Sequence, residues 1–163
     1  MEAIAEDLAS GEKIEVNIPD ENLEALELLA KDRVSDAKLQ SYIDNLDLSA
    51  DAKLLIASIL QKTVKVGELV VRVGKRIIEI VIMIASKFPN ATFGLLLGLL
   101  VGALVAAIPL IGGLLGPFVL PIAAAFGLVT GYRDDIRDRN LNQKIAAAAA
   151  LFNPLSGETH VAS

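Results

Sequence analysis

The stretch that decides the fold is FPNATFGLLLGLLVGALVAAIPLIGGLLGPFVLPIAAAFGLVTGY, Phe88 to Tyr132, which contains no Asp, Glu, Lys or Arg. A membrane-spanning helix needs about 20 predominantly apolar residues, so this run is long enough for two such helices. Prolines and glycines interrupt its middle, where a helical hairpin would turn. These turn residues are Pro109, Gly112, Gly113, Gly116, Pro117 and Pro121. The stretch therefore predicts a membrane-inserted helical hairpin at residues 88–132.

The two arms of this hairpin are short. A first helix over residues 93–108 would be about 24 Å long, and a second over 121–132 about 18 Å. Both are shorter than the hydrocarbon core of a bilayer, about 30 Å. The hairpin therefore either extends its helices through residues 109–120 or dips into the bilayer and returns. Irregular backbone in hydrocarbon needs partners, which favours an oligomer that buries the turn.

Glycines recur every four residues in both arms of the hairpin. They are Gly94, Gly98 and Gly102 in the first arm, and Gly127 and Gly131 in the second. Small residues at this spacing let helix backbones approach closely inside lipid. The pattern predicts helix packing through these faces, and it leaves open whether the contact lies within one hairpin or between subunits.

The segment before the hairpin repeats β-branched residues at alternating spacings of three and four. They are Ile56, Ile59, Thr63, Val66, Val70, Val73, Ile77, Ile80 and Ile84. This pattern is typical of a coiled-coil seam and predicts one long amphipathic helix over residues 51–87. The seam either packs within one subunit or, in the interpretation adopted here, joins subunits from Ile59 to Ile84. VKVGELVVRV would also fit a strand, but Gly67 and Gly74 fall off the seam, which favours a helix.

Residues 1–50 carry most of the acids and predict a small polar helical head. Residues 3–9 are expected to form a short helix, and KIEVNI at 13–18 alternates as a short strand does. Short polar side chains that accept hydrogen bonds from free backbone amides are expected to cap helices. These N-caps are Asp20, Ser35 and Ser49.

After the hairpin, residues 133–152 predict a helix that is first charged and then alanine-rich. Residues 153–163 follow Asn153-Pro154 and predict a flexible tail. The predicted fold class is therefore all-α: a head, a long heptad helix, a membrane hairpin, a C-terminal helix and a tail.

Basic residues flank the hairpin on both sides, which predicts that both termini are cytoplasmic. The N-terminus has acids where a secretory signal would have bases, which agrees with this orientation. We expect the flanking bases to contact anionic lipid headgroups. These bases are Arg72, Lys75, Arg76 and Lys87 before the hairpin, and Arg133 and Arg137 after it.

Patterns that could support catalysis or metal binding are few. Asp134, Asp135 and Asp138 have DDxxD spacing, but the interleaved arginines favour a solvated, ion-paired helix. His160 is the only histidine and cysteine is absent, which excludes a histidine-dependent triad and a cysteine-based zinc site. The bases form no concentrated face for nucleic acid. The sequence therefore predicts neither an enzyme nor a cofactor, a metal site or a nucleic-acid partner.

Three functions fit these features. The preferred hypothesis is a non-enzymatic integral membrane protein that self-assembles through the hairpin glycines and the seam into a structural homo-oligomer. Its acidic head is a candidate surface for a protein partner. The alternative is a pore-forming, membrane-permeabilising protein that resembles holins or bacteriocins, although only Thr92 and Thr130 offer polar side chains to a pore. The third, ranked last, is a water-soluble form that hides the hairpin among its other helices, as colicin pore domains do.

Overall fold

The computed structural model describes residues 1–6, 13–31, 33–126 and 139–159. Helices predominate in these residues, but they also contain a five-stranded antiparallel sheet of order β4-β3-β1-β2-β5. The strands are β1 (Glu2–Glu6), β2 (Lys13–Asn17), β3 (Val64–Val66), β4 (Leu69–Val71) and β5 (Glu158–Thr159). The all-α prediction is therefore correct only for the helical majority of the fold.

The N-terminal segment forms strands because its apolar residues alternate. Ala3 and Ala5 are buried, and Ala3 pairs with Val16 on one side and with Val66 on the other. This period of two places one side-chain set on the covered face of the sheet. The predicted helix at 3–9 is therefore wrong in its described part, and the strand predicted in KIEVNI is confirmed.

Residues 51–87 do not form one helix. Helix α3 (Ala50–Leu60) ends first, β3 and β4 follow as a hairpin, and α4 (Val73–Lys87) begins after it. The hairpin turns through two residues, and Gly67 takes a φ of +61°, a conformation that glycine adopts without steric cost. The continuous-helix prediction is wrong because VKVGELVV alternates as a strand does around this turn.

The β-branched residues predicted to join subunits lie mostly in this chain's own core. Six of them are buried: Ile59, Val66, Val73, Ile77, Ile80 and Ile84. Val70 is exposed on the outer face of the sheet. The intersubunit interpretation is therefore wrong for the six buried residues, and packing within one subunit accounts for them.

Two of the three predicted N-caps are confirmed. The Ser35 hydroxyl accepts a hydrogen bond from the Lys38 amide at 3.2 Å, and Ser49 accepts one from Ala52 at 3.1 Å. They begin α2 (Asp36–Asp44) and α3. Asp20 instead opens a 3-10 turn, Asp20–Asn22, before α1 (Leu23–Ala30).

The charge-free run forms three helices in its described part, which corrects the two-helix hairpin. They are α5 (Phe93–Ala107), α6 (Pro109–Leu115) and α7 (Val119–Phe126), with a 3-10 turn at Gly116–Phe118. Pro109 starts α6 at a first-turn position where its missing N–H costs nothing. The chain between α7 and α8 (Arg139–Ala150) lies outside the described residues.

The C-terminal region is partly as predicted. The described part of the helix predicted at 133–152 is helical as α8. A 3-10 turn, Asn153–Leu155, and β5 follow it, and Leu155 is fully buried. The predicted flexible tail is therefore wrong for residues 153–159, which dock on the sheet and the core.

Helix α5 is the centre of the helical layer, where it packs against α4, α6, α7 and α8. Its buried side chains include Leu96, Leu97, Leu100, Val101 and Leu104. Helix α6 packs on β1 and β2, and its residues Leu110, Ile111, Leu114 and Leu115 are buried. The α6 part of the predicted turn is apolar because it covers the sheet.

Candidate functional site

The second half of the described charge-free run is the segment Pro109–Phe126, here named the apolar arm. It is long and apolar enough to cross a membrane, and 28% of its residues are buried. Core helices of water-soluble proteins can meet the same length and composition test. What separates the arm from an ordinary core helix is its outer surface, because Leu120 is 80% exposed and Val119 and Pro121 are exposed beside it.

The inner face of the arm is packed closely on the body of the protein. Helix α7 contacts α3 and α5, and Ile122 is buried at that contact. At its end the Phe126 ring lies 6.4 Å from the Phe93 ring, centre to centre. The arm therefore has one face fixed in the core and one apolar face left outside.

The glycines predicted to form helix-packing faces differ in how closely other residues pack against them. Gly94 is buried, and a Cβ there would overlap the Phe126 side chain, so this glycine serves contact between α5 and α7 within one chain. Gly98 and Gly102 are half-buried, and a Cβ on Gly102 would meet open space. Gly127 and Gly131 lie outside the described residues.

The predicted turn residues are spread over α6 and α7. A Cβ on Gly112 would lie 3.0 Å from the Val105 carbonyl oxygen, and one on Gly113 would overlap Ile14. These two glycines therefore allow α6 to approach α5 and the sheet. Gly116 and Pro117 form the 3-10 turn, and Pro121 lies in the first turn of α7.

Basic side chains at the start of α4 form ion pairs with acidic side chains of the same chain. Asp36 Oδ1 lies 2.8 Å from both Arg72 Nη1 and Lys75 Nζ. The Lys75 side chain is only 2% exposed, so its predicted contact with lipid headgroups is wrong for this fold. Hydrogen bonds from Lys75 and then Arg72 lower the pKa of Asp36 below its ordinary value.

This ion-paired cluster borders a cavity of about 450 Å³ between α2 and α3. Polar side chains on its wall are Asp36, Gln40, Gln61, Thr63 and Arg72. Because two cations hold the Asp36 carboxyl ionised, it is a poor proton donor and serves to tie α2 to α4. Sequence reasoning missed this pair because Asp36 and Arg72 are 36 residues apart, and no local pattern relates them.

Three lysines lie near the apolar run. Lys87 at the end of α4 and Lys144 on α8 lie close together, and Lys87 lowers the pKa of Lys144. Lys62 Nζ lies 5.2 Å from the centre of the Phe118 ring, next to the arm. The predicted bases Arg133 and Arg137 lie outside the described residues, as do the DDxxD acids and His160.

Within the described ranges, no group of three or more His, Cys, Asp or Glu side chains is placed to hold a metal ion. No protein-family model matches the chain, and neither a curated protein nor a solved structure matches it. The apolar arm, with its neighbouring lysines, is the candidate functional surface.

Proposed function

We propose that this chain is a non-enzymatic membrane-binding protein that docks on a bilayer through the apolar arm and assembles there into a structural oligomer. The observation that carries the proposal is the outer face of the arm, where Leu120 and Val119 project from a segment without any charge. In this proposal the described fold is the form that precedes insertion.

The arm gains free energy on entering a bilayer because its outer side chains leave water. Full burial of a leucine side chain is favourable by roughly 1.5–3 kcal/mol. The arm carries no charged group whose desolvation would oppose this gain. Lys62, beside Phe118, and the pair of Lys87 and Lys144 supply positive charge that attracts anionic headgroups.

Assembly would follow from the release of α5. Helix α5 packs against α6 and α7. Movement of the arm into lipid would therefore uncover the face of α5 on which Gly94 lies against Phe126. Gly94, Gly98 and Gly102 would then offer a close-packing surface to another copy, as small residues four apart do in membranes. The acidic N-terminal head would stay at the aqueous side.

A vesicle flotation assay tests the docking step. Vesicles that contain an anionic phospholipid are expected to carry the wild-type protein upward, and Leu120→Glu is expected to reduce the bound fraction at least about tenfold. Leu54→Glu is the matched control, because Leu54 is 68% exposed on α3 and lies outside the arm. Equal flotation of Leu120→Glu and Leu54→Glu would contradict the proposal.

The enclosed position of α5 also favours a second candidate, a membrane-permeabilising protein that releases its apolar helix on contact with lipid. Dye-loaded vesicles distinguish the two. Tight vesicles that carry large regular oligomers support the structural assembly, and rapid leakage supports the permeabilising protein instead.

A further inference from the structure

A second cavity lies between α1, the start of α4 and the end of α8, away from the apolar arm. Its volume is about 330 Å³, at the small end of the range of about 300–1,000 Å³ for ligand pockets. Arg33 and Arg76 line it, and the rest of its wall is apolar. The apolar wall consists of Ala25, Leu28, Leu29, Ala150, Leu151 and Pro154.

Arg76, which lines this cavity, has one unmet hydrogen-bonding group. Its side chain is 13% exposed, and its Nη1 donates to Glu79 Oε2 at 3.3 Å. Its Nε is buried and has no hydrogen-bond partner in the described part of the chain. Buried polar groups in proteins are nearly always paired, so the missing acceptor for this Nε makes Arg76 an unusual residue of the cavity wall.

Arg33 makes the cavity more positive. Burial lowers the pKa of Arg76, and the nearby charge of Arg33 lowers it further, while Glu79 acts in the opposite direction. Among the described residues, Arg76 therefore has the guanidinium of Arg33 as well as the carboxylate of Glu79 near it. An anion between Arg33 and Arg76 would offset their mutual repulsion, and charge-assisted hydrogen bonds from guanidinium groups to a carboxylate are strong.

We propose that this cavity binds an amphipathic organic anion, namely a carboxylate with a short apolar chain. The planar edge of a guanidinium matches a carboxylate in paired hydrogen bonds. The chain of the ligand lies against Leu28, Leu29 and Leu151, and two of these, Leu28 and Leu151, are exposed without it. Covering them removes apolar surface from water, which a compact inorganic anion would not do. This site is separate from the arm, so either proposal can fail alone.

Titration calorimetry of the full chain with octanoate tests the proposal. Acetate lacks the apolar chain and octanol lacks the charge, and each is expected to bind at least about tenfold more weakly than octanoate. Octanoate is expected to raise the melting temperature, because a ligand that binds only the folded state stabilises it. In nitrogen-15 NMR spectra, octanoate is expected to shift the Arg76 Nε–H resonance.

Arg33→Gln removes one charge from the cavity and leaves the Arg76–Glu79 pair intact. It is expected to weaken octanoate binding about tenfold. Lys31→Gln is the matched control, because Lys31 is an exposed base at the end of α1 that does not line the cavity. The proposal is overturned if the two variants bind octanoate equally, if acetate binds as tightly as octanoate, or if the Arg76 resonance does not move.

Discussion

Asp36 stabilises more of the fold than its exposed position suggests. One of its carboxylate oxygens lies 2.8 Å from Arg72 and from the almost fully buried Lys75. A buried ammonium group needs a counter-charge, because removing one partner of such a pair leaves the other uncompensated. The N-terminal end of α4 also disfavours cations because of the helix dipole. The Asp36 carboxylate therefore offsets both the burial of the Lys75 ammonium group and its position at this end of the helix.

Replacing Asp36 by Asn is therefore expected to lower the midpoint of urea unfolding at pH 7. Asp47→Asn is the control, since Asp47 is an exposed carboxylate between α2 and α3. Chemical denaturation followed by circular dichroism measures both variants. Equal midpoints for the two variants would show that the pair with Lys75 contributes nothing to stability.

The same residue predicts a pH dependence. The pKa of Asp36 is lowered from 3.8 by Lys75 and then by Arg72, so the folded state holds this proton more weakly than the unfolded state does. Its stabilising contribution is present above about pH 4 and is lost as the pH falls through the lower folded pKa. The difference in unfolding free energy between wild type and Asp36→Asn should therefore shrink from pH 5 to pH 2. A difference that stays constant over this range contradicts the assignment.

At the scale of elements, α5 offers a test that uses two glycines of one helix. Gly94→Ala is expected to destabilise the protein by about 1–3 kcal/mol, because the added methyl group overlaps Phe126. Gly102→Ala meets open space and is expected to stabilise it by up to about 1 kcal/mol through helix propensity. Thermal unfolding measures both changes. A loss of similar size in both variants would rule out close packing of α5 on α7 as the reason for Gly94.

The elements also show what the sequence could predict. Ser35 and Ser49 could be predicted as N-caps because each cap depends only on a backbone amide three residues later. KIEVN could be predicted as a strand from its own alternation of side chains. The helix predicted over Val64–Val71 is wrong because a run of valines at mixed spacing fits either a helix or a strand. Gly67 adopts a left-handed conformation in the two-residue turn between β3 and β4, which a continuous helix would not contain.

For the whole molecule, the apolar run was predictable as a central feature but its surroundings were not. A continuous apolar segment looks the same whether lipid or protein covers it. Here α5 and α6 are covered by neighbouring helices and by the sheet, whose β3 and β5 pair with strands far away in sequence. Neither the neighbouring helices nor the sheet covers the outer face of the arm, where Leu120 is exposed. The proposed membrane docking depends on this face.

The most direct test of that docking places a single tryptophan at position 120, since the natural chain has none. With vesicles of anionic phospholipid, Leu120→Trp is expected to shift its fluorescence to the blue and to be quenched by brominated acyl chains. Leu54→Trp, at an exposed position of α3, is expected to stay unquenched. If tryptophan at 120 is quenched no more than tryptophan at 54, the arm does not enter the bilayer.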